Sequence, residues 1–192
     1  MDGDHISEAT TIAIGEKKIS VIGKGKDKSS IGTGALSSTG ALFSVSTGYL
    51  EMSHLKVDCN SSANPSPSVV VVSDGGGSLS LEDVVIATSK TGNYVLSSSV
   101  FVVPLSQLSM VDGEIINMNV SKPLFSEPDL SSSSSSSLSS SALYLTATAS
   151  GESMLVNVKV TNVKLTEGDG VAAAKSVKAG KIFTVQNVTI DD

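Results

Sequence analysis

An eight-residue pattern of apolar and polar positions recurs along the chain. It places apolar residues at its first, third, sixth and eighth positions, with two residues of any kind between the two apolar pairs. Copies occupy residues 50–57 (LEMSHLKV, the clearest), 79–86, 108–115, 158–165 and 183–190, and a weaker one begins at residue 19. Alternation with a period of two is typical of a strand with one buried face, so each copy predicts two short strands.

The two extra residues interrupt the alternation, so the chain has to bend there if both apolar pairs are to face the same side. Five copies place a polar residue at the fifth position, namely His54, Asp83, Asp112, Asn162 and Asn187. Asn and Asp tolerate the left-handed backbone conformation and hydrogen-bond to their own turn. In the weak copy Gly23 stands at the bend, where glycine adopts a positive φ without strain. We therefore predict a row of turn-stabilising corners that includes His54.

A second apolar element precedes the eight-residue copies, at residues 41–45, 69–72, 100–103 and 142–145. The copies begin at residues 19, 50, 79, 108, 158 and 183, and a spacing of about 20–50 residues signals a repeat architecture. Residues 171–174 (VAAA) are compatible with a short helix, but the period favours a strand there. We predict an all-β fold, a right-handed parallel β-helix solenoid of about six coils with three short strands in each coil.

This stacked pattern resembles the pectin-lyase-like superfamily of right-handed parallel β-helices. The segments that carry the resemblance are residues 48–52 (GYLEM), 77–81 (GSLSL) and 19–25 (ISVIGKG), and it covers roughly residues 10–192. The family contains polysaccharide lyases, glycoside hydrolases, adhesins, surface proteins and inert stalks. The resemblance implies the fold and does not select one of these functions.

We expect one β-helix domain over residues 12–192, preceded by residues 1–11 as a loose segment or a partial coil. Residues 24–40, 60–68 and 89–99 have the composition of loops. Residues 122–141 contain two prolines and the serine tract 131–137, which cannot bury enough surface to offset its ordering entropy, so a disordered loop is expected there. The abrupt ends of the pattern suggest a fragment of a longer protein, with exposed strand edges that favour edge-to-edge association.

Composition excludes some classes of binding partner and limits what can be said about the compartment. The net charge is −6, and all 13 basic residues are Lys, which argues against nucleic acid as a partner. No apolar run approaches the length of a membrane span. The single cysteine, Cys59, excludes an internal disulfide. The compartment stays undetermined, with an extracellular or cell-surface location favoured if the chain belongs to a longer secreted protein.

The catalytic residues that the resemblance would imply are missing from this sequence. Pectate-lyase-type members use a basic residue, commonly Arg, and there is no Arg here. Polygalacturonase-type members carry paired Asp residues and a Gly-His-Gly element, but the pair Asp191-Asp192 ends the sequence and neither His has flanking glycines. We expect no catalytic residues and no cofactor.

Three residues are candidates for ligand binding: Tyr49, Asp83 and Asp112. Tyr49 precedes a predicted strand and offers an aromatic platform for a glycan. Asp83 and Asp112 occupy the same corner of adjacent repeats, where two stacked carboxylates repel. They could be solvated, one could have a raised pKa, or calcium could lie between them. We favour solvated corners and predict no metal site.

The function that fits these features is a noncatalytic β-helical scaffold or adhesion segment of a surface or extracellular protein, with glycans or other surface proteins as partners. The alternative is a polysaccharide lyase or glycoside hydrolase whose catalytic coils lie outside this chain or are degenerate within it.

Overall fold

A computed structural model describes residues 4–7, 12–32, 41–58, 69–72, 77–87, 95–96, 100–102, 107–120, 143–146, 153–165, 172–175 and 183–191. This part of the chain consists of strands and tight turns and contains no helix. The strands are β1 (Asp4–Ser7), β2 (Ile12–Ile14), β3 (Lys18–Ile22), β4 (Ser29–Gly32), β5 (Ala41–Val45), β6 (Tyr49–Asp58), β7 (Val69–Val72), β8 (Ser78–Ala87), β9 (Val95–Leu96), β10 (Val100–Val102), β11 (Gln107–Val111), β12 (Glu114–Val120), β13 (Leu143–Thr146), β14 (Ser153–Val156), β15 (Lys159–Leu165), β16 (Ala172–Lys175), β17 (Phe183–Gln186) and β18 (Thr189–Asp191).

All the strand pairs are parallel, and they form three stacks. The first stack contains β3, the first half of β6, the first half of β8, β11, β14 and β17. The second contains β1, β4, the second halves of β6 and β8, β12, β15 and β18, with β9 beside β12. The third consists of two sheets, β2-β5-β7 and β10-β13-β16, with β7 and β10 adjacent.

The inward-facing side chains of the first two stacks form most of the core. The strand register places Leu50, Leu79 and Leu108 in one column and Met52, Leu81 and Met110 in the next, and all six are buried. Beyond the bend, Val57, Ile86, Ile115 and Val160 form a further buried column. Phe43 and Val45 of β5 contribute to the same core. The alternating apolar positions therefore bury their side chains against the equivalent residues of neighbouring repeats.

The predicted all-β class is confirmed for the described residues. The second apolar element forms strands in each repeat, namely β5, β7, β10 and β13. Residues Ala172–Lys175 form strand β16, as the period favoured. Residues Asp4–Ser7 pair with β4, so the described part of the N-terminal segment belongs to the second stack.

The structure places one copy of the pattern at different residues from those predicted. The prediction placed it at 158–165, but Met110 pairs with Leu155 and Val111 with Val156, so the equivalent copy is 153–160. The first inward position of this copy is Ser153, which is buried and accepts a hydrogen bond from the Leu108 amide at 3.1 Å. The pattern requires an apolar residue at this position. Because Ser153 is polar, this copy could not be recognised from the sequence.

Two predicted loops contain strands. Residues Ser29–Gly32 form β4, because Ile31 is buried opposite Val57 although its neighbours are Ser and Gly. Residues Val95–Leu96 form β9 and pair with β12. Short strands with one or two apolar residues carry too little periodicity to be recognised from sequence.

The prediction for Gly23 is wrong in its physical reason. Among the glycines that the structure describes, the one with a positive φ is Gly25, at 132°. A Cβ atom on Gly23 would lie 2.3 Å from the His54 carbonyl oxygen, so close approach to the next repeat requires glycine at this position. The predicted loop at 122–141, the loop at 60–68 and Cys59 lie outside the described residues.

Candidate functional site

The candidate site is the corner row, which we define as His54, Asp83, Asp112, Asn157 and Asn187. Each of these residues has a positive φ of 51–54°, the left-handed conformation predicted for the bend. The strand register places them one above another in successive repeats. Asn162 also has a positive φ, but it belongs to a bend within β15 and not to this row.

Hydrogen bonds between side chains run along the corner row. The His54 Nδ1 atom lies 3.0 Å from Asp83 Oδ2. Asn157 Nδ2 donates to Asp112 Oδ1 at 2.8 Å, and Asn187 Nδ2 donates to Asn157 Oδ1 at 3.0 Å. The side chains of the row are therefore engaged with each other along the direction of stacking.

The backbone of the row repeats one hydrogen bond from corner to corner. The Asp112 amide donates to the Val156 carbonyl at 3.0 Å, and the Asn157 amide donates to the Gln186 carbonyl at 2.9 Å. In the first repeat the Gly23 amide donates to the Ser53 carbonyl at 2.8 Å. Each bend is thus fixed to the repeat that follows it.

Lys26 supplies positive charge beside Asp83 of the row and the neighbouring Glu114. Its Nζ atom lies 3.0 Å from Glu114 Oε1 and 3.7 Å from Asp83 Oδ1. The hydrogen bond to Glu114 raises the pKa of Lys26, and the charges of Glu114, Asp83 and Asp27 act in the same direction. The repulsion expected between Asp83 and Asp112 is therefore offset by an ammonium group and by the amide of Asn157.

Tyr49 lies away from the corner row. It begins β6 and pairs with Ser78, whereas Asp83 stands at the bend of β8, about 15 Å further along the strand direction. The Lys18 ammonium lies 4.9 Å from the centroid of the Tyr49 ring, a cation–π contact. The structure brings Asp83 and Asp112 together but not Tyr49, so the three candidates do not form one site.

The described residues contain no group of three or more His, Cys, Asp and Glu side chains that could hold a metal ion. In the same part of the chain, no helix is long and apolar enough to cross a membrane.

Sequence reasoning missed three members of this arrangement: Asn157, Lys26 and Glu114. Asn157 could have been found from the number of residues between it and Asn187. That number is close to the number of residues between His54 and Asp83 and between Asp83 and Asp112. Lys26 and Glu114 are separated by 88 positions, and neither position carries a local signal of the contact. Only the folded chain brings them together.

Comparison of the chain with protein-family models, with curated proteins and with solved structures finds no match.

Proposed function

We propose that the chain is a noncatalytic scaffold or adhesion segment built as a right-handed parallel β-helix. Three stacks of parallel strands, visited in the same order in successive repeats, support this architecture. The right-handed sense is the physically expected one, because crossover connections between parallel strands are right-handed in nearly all proteins.

The observation that carries the noncatalytic assignment is the mutual pairing of the corner row. The imidazole of His54 pairs with Asp83, and Asp112 accepts from Asn157. All five members of the row have the left-handed backbone of a bend, and the hydrogen bonds of their side chains join one corner to another, which supports a role in stabilising bends.

The partners proposed for this scaffold are glycans or other surface proteins. Tyr49 is the aromatic residue best suited to such a contact, since it is half-buried at an outward position that alternates with the buried Leu50. A glycan that stacks on the ring would have to displace or share the ammonium of Lys18.

The experiment is thermal unfolding of the purified chain with and without calcium, against a panel of uronic-acid and neutral polysaccharides. The same mixtures are assayed for new reducing ends and unsaturated products. We expect a cooperative transition and no cleavage of any polysaccharide. A rise in the unfolding temperature with one polysaccharide, lost in Tyr49→Ala, would identify a glycan ligand and its place.

The matched variant is Asp83→Asn, which removes a carboxylate but keeps a short polar side chain that tolerates the left-handed conformation. Cleavage by the wild-type chain that Asp83→Asn loses would contradict the proposal. That result would favour the alternative, a polysaccharide-degrading β-helix enzyme.

A further inference from the structure

The outer face of the first stack has a small side chain between two larger ones. The strand register aligns Tyr49, Ser78 and Gln107 in one outward column, in three successive repeats. Each of the three is partly buried, as expected for a position that alternates with the core. Because neighbouring parallel strands lie about 4.8 Å apart, the strands that carry Tyr49 and Gln107 are about 10 Å apart, with the short side chain of Ser78 between them.

The next outward column of the same stack widens this depression. It aligns Glu51, Ser80 and Ser109, which are also partly buried. Here two serines follow the larger Glu51. We define the serine trough as the floor residues Ser78, Ser80 and Ser109 with the end residues Tyr49 and Gln107. Each serine hydroxyl can donate one hydrogen bond and accept two, so the floor of the trough suits a ligand that carries many hydroxyl groups.

The Tyr49 ring has one face directed toward the serine trough. The Lys18 ammonium lies 4.9 Å from the ring centroid, and Lys18 pairs with Tyr49 from the preceding repeat. The ring face turned away from Lys18 is therefore on the side of Ser78, in the following repeat. A serine side chain is too short to cover an aromatic ring. The apolar C–H face of a sugar can pack against this ring while the hydroxyl groups at the sugar's edge bond to the serines.

The charges beside the serine trough favour a neutral ligand over an anionic one. Glu51 accepts a hydrogen bond from Ser20 Oγ at 3.0 Å and lies 3.5 Å from Lys18 Nζ, so these two charges largely balance. Glu82 adds an exposed carboxylate on the strand that carries Ser80. Uronic acids would be repelled by this carboxylate, whereas the hydroxyl groups of a neutral sugar can donate to it.

We propose that the serine trough binds a neutral polysaccharide. One sugar ring stacks on Tyr49, and its hydroxyl groups bond to Ser78, Ser80 and Gln107. The Lys18 ammonium keeps its place on the opposite face of the ring, so the sugar and the ammonium share the aromatic ring. This inference rests on the proposed function, and it specifies the class of glycan and the surface that contacts it.

The test is affinity electrophoresis of the full chain in native gels that contain galactomannan, hydroxyethylcellulose, arabinoxylan or polygalacturonate. We expect at least one of the three neutral polymers to retard the chain and polygalacturonate to leave its mobility unchanged. Retardation by polygalacturonate, alone or together with a neutral polymer, would overturn the neutral class. Retardation by none of the four would overturn the trough as a glycan site. Both results leave the scaffold proposal standing, because that proposal also allows other glycans or surface proteins as partners.

Variants of Tyr49 and Ser78 locate the ligand without changing the core. Tyr49→Ala removes the stacking surface and should weaken binding about tenfold or more. Tyr49→Phe keeps the ring and should bind like the wild-type chain. Ser78→Met fills the trough beside the ring and should abolish the retardation. Its unfolding temperature should stay close to that of the wild-type chain, because residue 78 faces outward.

The matched control is Thr184→Met, which adds the same side chain at an exposed position of the first stack outside the trough. Its retardation should equal that of the wild-type chain. Retardation that survives both Tyr49→Ala and Ser78→Met, or that Thr184→Met loses as well, would show that the polymer binds elsewhere and would overturn the proposal.

Discussion

At the scale of the residue, the corner row is defined by backbone conformation. The left-handed region is costly for most side chains, because Cβ approaches the backbone, and Asn and Asp adopt it more readily than other non-glycine residues. Four of the five corner residues are Asn or Asp, and the fifth is His54. A substitution at His54 is therefore the one in the row that we expect to increase stability most.

We predict that His54→Asn leaves stability unchanged or raises it by up to about 1 kcal/mol, because Asn relieves strain and keeps a donor for Asp83. For a chain of this size, that is an increase of about 2–4 °C in the unfolding temperature. Thermal unfolding at neutral pH measures the effect.

The matched control is His54→Val, which removes the hydrogen bond to Asp83 and increases the strain, because a β-branched residue tolerates the left-handed conformation poorly. It should lower stability by about 1–3 kcal/mol. If His54→Asn were the more destabilising of the two, the histidine would have a structural role beyond turn stabilisation.

At the scale of the element, the bend between β11 and β12 is packed differently from the bends of other repeats. The position occupied by Leu55 and Val84 in other repeats is Gly113 here. A Cβ atom on Gly113 would lie 2.3 Å from Met110 Cε and 2.9 Å from Met110 Cγ. The flexible methionine thus fills the volume that an apolar side chain occupies elsewhere in the column.

We predict that the effects of Met110→Ala and Gly113→Ala are not additive. Met110→Ala alone should cost about 2–4 kcal/mol, since it leaves a cavity beside a glycine. Gly113→Ala alone should cost about 1 kcal/mol, because Met110 has to move. In the double variant the new methyl group occupies vacated space, so the loss should fall short of the sum by about 1 kcal/mol.

Urea unfolding of the four proteins in this cycle measures the coupling. Met52→Ala combined with Gly113→Ala is the matched control, since Met52 lies in the same column two repeats away and is equally buried. That pair should be additive. Additivity in the Met110 cycle would show that Met110 does not fill the space beside Gly113.

At the scale of the whole molecule, Lys26 joins repeats that are far apart in sequence. The turn at Gly23–Lys28 belongs to the first repeat, whereas Asp83 and Glu114 belong to the third and fourth. All three side chains are about one third exposed, so water and salt screen the attraction. The ion pairs of Lys26 contribute modestly to stability, and their contribution depends on ionic strength.

We predict that Lys26→Gln lowers stability by about 0.5 kcal/mol in low salt, and that molar salt removes most of the difference. The pKa of Lys26 is raised above its ordinary value of 10.5, so the contribution is complete below that pH and is lost as the pH rises through the folded-state pKa. Urea unfolding at low and high salt, and across the alkaline range, checks both dependences.

Lys28→Gln is the control for the loss of one lysine charge in the same turn, and its effect should be smaller. A salt-independent loss in Lys26→Gln would mean that the aliphatic part of the side chain, rather than its charge, stabilises the turn.

The sequence by itself determined the elements whose signal is local. The alternation of Leu50 and Met52, and of Leu79 and Leu81, requires one buried face, and the two extra residues require a bend. Side chains at His54, Asp83, Asp112 and Asn187 identified the corners, since the left-handed conformation is a property of the residue and its neighbours. These features follow from short-range sterics and hydrophobicity, so they can be read along the chain.

Tertiary structure alone decided the register and the contacts between repeats. Ser153 takes an inward position because the Leu108 amide of the neighbouring strand satisfies its hydroxyl group. Ile31 is buried because Val57 lies opposite. Asn157, Lys26 and Glu114 join the site through partners dozens of positions away. Such contacts depend on which strand lies next to which, and that is set by the stacking of whole repeats and by no property of a single segment.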